Sequence, residues 1–328
     1  MDPPTRPLLK IENLSVSYVS AAGPVRAVRE FSLEVERGES VALVGETGSG
    51  KSTVALAMLN LLGNAGRVET GEIHFAGMPL SSREPRSWRL ARGKEIGMVF
   101  QDARGALNPV LTIGAQVAQA LRAHQRLGRR AAREAAAAWL AAAGIPQPRF
   151  YMRRYPMELS GGMCQRVAIA IAVCNLPRLL IADEPTCALD PSIQAQILEL
   201  LQGMKDRYGL AMILISHDLA MISEFAERVA VMYHGRLIES GKTEDVFRNP
   251  AHPYTALLIE CQAGLRHSWN LRPLAAIAGS PPAAGQEVTG CPFAPRCHKA
   301  DSDCLLQTPR PVTVSDGHWA SCIRLTRD

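Results

Sequence analysis

The sequence predicts an α/β fold built on a mixed, largely parallel sheet, and three observations carry that prediction. Short apolar runs of strand length recur at 41–44, 96–100, 179–182, 211–215 and 229–233. Helix-period stretches lie between them, notably 51–62 and 192–207. Two of the strand runs end abruptly, one in glycine and one in paired acids, as buried strands do where they meet a loop. Strands alternating with helices imply a sheet covered on both faces. With 328 residues, the chain has room for one large core plus an appendage, or for two domains.

The elements follow in order. Phe31, Leu33 and Val35 alternate with polar neighbours, which marks a strand with one buried face. Residues 41–44 are apolar throughout and stop at Gly45, and a helix pattern starts at Lys51. From about 102 to 175 strand signals fade and Ala, Leu and Arg dominate, so a helical insertion is expected. Strands then return. Beyond Pro250 the composition shifts again: nine of the 22 prolines lie in 250–328, which predicts loop-rich structure. His252-Pro253-Tyr254 opens a short helix within it. The division expected is 1–250 with a helical subdomain at about 103–175, followed by an extension at 251–328. No internal repeat is visible.

Composition excludes some classes. Hydrophobic residues are 47% and charged residues 20%, as in an ordinary globular protein. The net charge of +5 is spread along the chain. Its densest basic stretch is Arg122, Arg126, Arg129, Arg130 and Arg133. That stretch reads as a solvated helix face, with a nucleic-acid stripe or lipid headgroups as alternatives. Met1-Asp2-Pro3-Pro4 does not resemble a signal peptide. No apolar run reaches the roughly 20 residues that a spanning helix needs. A cytosolic chain, linked to any membrane through a partner, is therefore expected.

The chemistry is concentrated in a few motifs. Gly45-Glu46-Thr47-Gly48-Ser49-Gly50-Lys51-Ser52-Thr53 matches the phosphate-loop pattern between a buried strand and a helix. Its glycines let backbone N–H groups face a phosphate chain, and the helix start adds a positive dipole end. Lys51 can reach the outer phosphates, and Ser52 can offer its hydroxyl to Mg²⁺. The 179–182 strand ends in Asp183 and Glu184. Asp183 is suited to hold Mg²⁺ and Glu184 to orient or deprotonate an attacking water. His217 and Gln101 each follow a strand. Either could serve a terminal phosphate, although a lone histidine after a strand is more often structural.

Between Gln101 and Asp183 lies Leu159-Ser160-Gly161-Gly162-Met163-Cys164-Gln165-Arg166. With this second glycine motif, the chain resembles the ATPases of ABC transporters over roughly residues 8–260. The resemblance implies an ABC ATPase fold: an α/β core, an antiparallel β subdomain and a helical subdomain. It implies ATP hydrolysis, with Tyr18 stacking on adenine, Gln101 contacting Mg²⁺ and sensing a permease, and His217 as a switch histidine. A sheet-face tyrosine is the alternative reading of Tyr18. In the family two ATPase chains pair head to tail. Ser160, Gly161 and Gly162 would then grip the γ-phosphate bound by the partner, and Asp190 would couple the paired sites. Ser160 also suits a helix N-cap. Met163, Cys164 and Cys187 depart from the family's usual residues, but none of them removes a catalytic group.

Further stretches resemble the ATPases of bacterial peptide and nickel importers: 100–102, 106–109, 155–159, 249–255 and 291–297. That branch implies a second homologous ATPase, two transmembrane permeases and an extracytoplasmic binding protein, with no nucleic acid. It places the chain at the cytoplasmic face of the inner membrane. Peptides are the expected cargo, with nickel or a metal chelate as the alternative; a soluble ABC ATPase outside transport is a more remote reading. Cys291, Cys297, Cys304 and Cys322 have a spacing that by itself leaves metal binding and free thiols open. The resemblance implies a [4Fe–4S] cluster on these four, with Zn²⁺ as the alternative.

Overall fold

Alternation decides the first strands. The computed structural model describes residues 6–21, 23–80, 88–89, 91–266, 276–283 and 285–326; the Met1-Asp2-Pro3-Pro4 segment lies outside them. The strands in chain order are β1 (Leu9–Ser20), β2 (Gly23–Val35), β3 (Ser40–Val44), β4 (Gly66–Phe75), β5 (Met78–Pro79), β6 (Ile96–Val99), β7 (Leu179–Asp183), β8 (Ala211–Ile215), β9 (Arg228–Tyr233), β10 (Arg236–Lys242), β11 (Val312–Ser315) and β12 (His318–Ala320). In β2 the apolar residues Phe31, Leu33 and Val35 all face inward, as their spacing requires. Contacts divide the chain into two compact units.

The first unit comprises Met1–Val35, Ser40–Leu80 and Ser216–Asp328. It holds an antiparallel sheet in the order β2-β1-β4-β5. Leu9 stands opposite Val35 on one side and Phe75 on the other. A second set of strands runs β11-β12-β10-β9-β3. β3 and β9 are parallel, and Val44 pairs with Val231. β9, β10, β12 and β11 are antiparallel, so this sheet is mixed. The C-terminal extension thus supplies strands: Glu239 and Ser240 of β10 pair with Ala320 and Trp319 of β12. Between its short elements the extension remains loop-rich and carries the cysteines.

The core of this unit joins β3, β9 and β10 to the extension. Tyr233, Tyr254 and Phe293 are fully buried. Their ring centroids lie 4.7 to 5.3 Å apart, tilted or edge-on. Burying one such side chain contributes roughly 1.5–3 kcal/mol, and each aromatic pair about 0.5–1.5 kcal/mol more.

The second unit comprises Glu36–Glu39 and Ser81–Ile215. Its strands β6, β7 and β8 are parallel and in that order, and β7 and β8 are buried throughout. The helices are Ile113–His124, Arg129–Ala142, Gly161–Val173 and Pro191–Tyr208, with shorter turns between them. In Arg129–Ala142 the buried residues are Ala132, Ala136 and Leu140, one stripe at helical spacing. Ala136 and Leu140 pack with Ile113, Val117, Leu121, Val167 and Ala170 into one apolar cluster. Arg122, Arg126, Arg129, Arg130 and Arg133 are all exposed. Gly209 closes the long helix in the left-handed conformation, its N–H bonded to the Lys205 carbonyl. Among the described residues, no helix is long and apolar enough to cross a membrane.

Candidate functional site

The candidate residues fall into two groups, one in each unit. In the first unit β3 delivers the chain into the loop from Gly45 to Gly50, and a helix follows at Lys51–Met58. Gly45 has φ +148°, and a Cβ there would come within 2.2 Å of the Met232 carbonyl. No other residue fits. Gly50 precedes the helix at φ +103°, with the Ala27 carbonyl 2.6 Å from where a Cβ would stand. Lys51 is 6% exposed. Its ammonium donates to the carbonyls of Gly45 and Glu46 at 2.8 and 2.9 Å and to the Ser49 hydroxyl at 3.3 Å. The loop is therefore wrapped around its own lysine. Ser52 is exposed and Thr53 half-buried, while Thr47 and Gly48 form the exposed crest.

Tyr18 sits half-buried near the end of β1, opposite Val25 and Gly66. Its ring lies so close to Gly66 that a Cβ there would meet Cε1 at 2.7 Å. His217 has an exposed side chain, and its carbonyl accepts from the Gln262 amide.

In the second unit β7 ends in Asp183, which is 5% exposed. Glu184 follows at φ +44°, a left-handed conformation uncommon for a residue with a side chain. Its N–H donates to the Ile215 carbonyl at 2.9 Å, which pins the turn. Gln101, after β6, donates its amide to a Glu184 carboxylate oxygen at 3.0 Å. The structure thus brings Gln101, Asp183 and Glu184 together at the ends of adjacent strands. Backbone strain of this kind clusters at working sites.

The second glycine motif opens the helix Gly161–Val173. Ser160 caps it, its hydroxyl accepting from the Met163 N–H at 3.3 Å. Ser160 and Gly161 are nonetheless exposed and Gly162 and Met163 half-buried, so the start of this helix reaches the surface. Gly162 packs against the long helix, where a Cβ would meet Ile193 at 2.8 Å. Asp190 is exposed and stands at the start of that helix. Cys164 is buried, with its thiol on the Pro156 carbonyl at 3.5 Å.

The expected iron–sulfur cluster, and the Zn²⁺ alternative, must be corrected. Among the described residues no group of three or more His, Cys, Asp or Glu side chains comes together so as to hold a metal. Cys291 and Cys297 are half-buried, and Cys304 and Cys322 are buried. Burial pushes the Cys291 thiol up to about 11 and also raises Cys297 and Cys304. Cys291 is tied into the fold by its backbone instead, its N–H donating to the Cys304 carbonyl at 2.8 Å.

One feature has no distinct signal in the sequence. Glu46, inside the phosphate loop, receives both terminal nitrogens of Arg296 at 2.7 and 2.9 Å. Its N–H donates to the Tyr254 hydroxyl at 2.8 Å.

A mixed α/β core, a phosphate loop and an outward-facing glycine-headed helix are together the marks of an ATP-binding cassette. The family comparison agrees: residues 28–187 match the ABC transporter model, and residues 238–304 match the oligopeptide/dipeptide transporter C-terminal region. The chain is 41% identical to the dipeptide transport ATP-binding protein of Bacillus subtilis (strain 168), covering 96% of this chain and 94% of that one. It is 45% identical to the oligopeptide transport ATP-binding protein of Mycobacterium tuberculosis, covering 97% of this chain but 52% of that one. It therefore spans about half the length of that mycobacterial relative. Among solved structures, a dimeric ATP-binding cassette in a post-hydrolysis state with ADP and Pi superposes with a TM-score of 0.65. It is 28% identical, covering 72% of this chain and 98% of that one. The chain belongs to the ATP-binding subunits of ABC transporters, in the oligopeptide/dipeptide importer branch.

Proposed function

We propose that this chain hydrolyses ATP to energise an ABC importer of di- and oligopeptides, working at the cytoplasmic face of the inner membrane. The observation that carries the reading is the buried Lys51 inside an intact phosphate loop, in a chain whose similarity to peptide-transport ATPases runs nearly end to end.

Each residue has a role. Loop N–H groups from Thr47 to Thr53 receive the phosphates, and Lys51 exchanges its carbonyl partners for phosphate oxygens. Tyr18 offers its ring to adenine. The Ser52 hydroxyl, the Asp183 carboxylate and the Gln101 amide oxygen are hard donors of the type Mg²⁺ takes, and they would hold it. Held there, the ion would supply charge neutralisation on the phosphates. Glu184 takes a proton from water as the water oxygen bonds to the γ-phosphorus and the bond to ADP breaks. His217 contacts the γ-phosphate and stabilises the charge that develops there.

Pairing with a second, homologous ATPase completes the reading. The exposed start of the Ser160–Gly162 helix suits a γ-phosphate bound by that partner, with Asp190 coupling the two sites. The dimeric cassette among the similar structures supports this arrangement. Two permeases and an extracytoplasmic binding protein make up the remainder of the machine.

Affinity purification of the tagged chain from gently solubilised native membranes tests the proposal. Two permeases and a second ATPase should co-purify, and peptide-loaded binding protein should stimulate ATP turnover in the reconstituted assembly. Recovery without membrane partners, or turnover stimulated by nickel-loaded but not peptide-loaded binding protein, would overturn the peptide reading.

A further inference from the structure

Two stretches of the extension that take no part in the chemistry, 252–254 and 291–297, converge on one residue of the phosphate loop. That residue is Glu46, and all three of its polar groups are engaged. Its N–H donates to the Tyr254 hydroxyl at 2.8 Å. Its carboxylate receives Arg296 through two parallel bonds of 2.7 and 2.9 Å. Its carbonyl accepts from the Lys51 ammonium at 2.9 Å. A path of two residues thus leads from the extension to the lysine that meets the phosphates.

The anchors are built, not incidental. Arg296 is 5% exposed and Glu46 25%. The guanidinium also donates to the Tyr233 hydroxyl at 3.2 Å, to the Ala278 carbonyl at 3.0 Å and to the Ile277 carbonyl at 3.3 Å. Hydrogen bonding to Glu46 holds Arg296 firmly in its charged form. A bidentate arginine–carboxylate pair fixes orientation as well as charge. Tyr254 is fixed in turn. Its ring is buried against Tyr233 and Phe293, and its N–H donates to His252 Nδ1 at 3.0 Å. The N–H groups of Ala251 and His252 donate to the fully buried carboxylate of Glu239, which also accepts from His318 of β12.

The chemistry makes such an anchor useful. A loop that receives a polyanion carries a carboxylate of its own, and an uncompensated charge there repels the ligand. Arg296 cancels it. We propose that Arg296 and Tyr254 are positioning residues of the phosphate loop. Through Glu46 they fix the loop backbone and neutralise its carboxylate, so the C-terminal extension sets the affinity of its own chain for nucleoside triphosphate. The proposal rests on the ATP-binding reading above.

The test is a double-mutant cycle on the full-length chain, titrated calorimetrically with the Mg²⁺ complex of AMP-PNP, followed by steady-state ATP hydrolysis with the partner ATPase. Arg296→Met should weaken binding about tenfold when Glu46 is present and no more than about twofold in a Glu46→Gln background. In hydrolysis the loss should appear in KM, with kcat within about twofold. An ordinary structural role would lower stability equally in both backgrounds and leave affinity unmoved, and that result overturns the proposal. An equal affinity loss in both backgrounds overturns it as well. If Arg296→Met does not fold, Arg296→Lys keeps the charge but loses the fork, and should weaken binding about threefold; unchanged affinity in Arg296→Lys and Tyr254→Phe overturns the proposal. A wild-type chain that binds no AMP-PNP at all would instead sink the ATP reading, and this inference with it.

Discussion

Gln101 and Glu184 are 83 residues apart in sequence, yet the amide of one donates to the carboxylate of the other at 3.0 Å. The left-handed backbone at Glu184, pinned by its N–H to the Ile215 carbonyl, aims that carboxylate out of the strand end. Gln101 then selects one of its orientations. Replacing Glu184 with Gln keeps the shape and removes the proposed base. Turnover should fall about 10²–10⁴-fold while ATP binding persists, and a long-lived ATP-bound pair with the partner ATPase should appear on size-exclusion chromatography. Undiminished hydrolysis by this variant would remove Glu184 from the role.

Gly45→Ala tests the packing of the loop. The added methyl would meet the Met232 carbonyl at 2.2 Å, at a φ of +148° that side-chain-bearing residues avoid. The loop must shift away from β9, at a cost of about 1–3 kcal/mol. A lower urea midpoint together with weakened nucleotide binding is expected; a midpoint equal to wild type would contradict the geometry.

Glu239→Ala tests the anchoring of the extension. The carboxylate is fully buried and accepts from Ala251, His252 and His318. Its removal strands two buried donors, the His252 N–H and His318, each costing about 1–3 kcal/mol, and the half-buried Ala251 N–H. Thermal melting should show a drop of at least several degrees, and limited proteolysis should cut first within the extension.

His252 gives the first unit a pH dependence. Burial pushes its imidazole down from 6.5 to about 4. Below about pH 6.5 the unfolded chain takes up a proton that the folded chain refuses, so unfolding is favoured. Stability from this group is complete above about 6.5 and is lost as pH falls towards 4. Melting temperatures across that window should decline, and His252→Asn should flatten the decline. An equal slope in both proteins would assign it to other groups.

Much of the fold was legible because buried strands announce themselves. The runs at 41–44, 179–182 and 211–215 correspond to β3, β7 and β8 within a residue or two. The first helix is shorter than its pattern, ending at Met58 instead of Leu62. Asn60 turns left-handed there and the Leu61 N–H closes back on the Leu56 carbonyl, a local cap that hydrophobic periodicity does not show. The hairpin of β11 and β12 carries no readable signal, because strands of three or four residues are too short to show alternation. The motifs located Lys51, Asp183, Glu184 and Ser160. They could not locate Arg296, since pairing across 250 residues leaves no trace in local spacing. The cluster expected on the four cysteines came from the resemblance and not from their spacing, and among the described residues no metal-holding group of three or more such side chains forms.

The strand pairing of β10 with β12 has a consequence for how the chain is made. Arg296 leaves the ribosome 250 residues after its partner Glu46. At roughly 5–20 residues per second, that interval is about 12–50 s. Throughout it the phosphate loop lacks its counter-charge, and β10, once made, lacks its neighbour until β12 follows. If the extension sets nucleotide affinity as proposed, a chain cut short by a stalled ribosome would carry the phosphate loop without the Arg296 and Tyr254 that hold it.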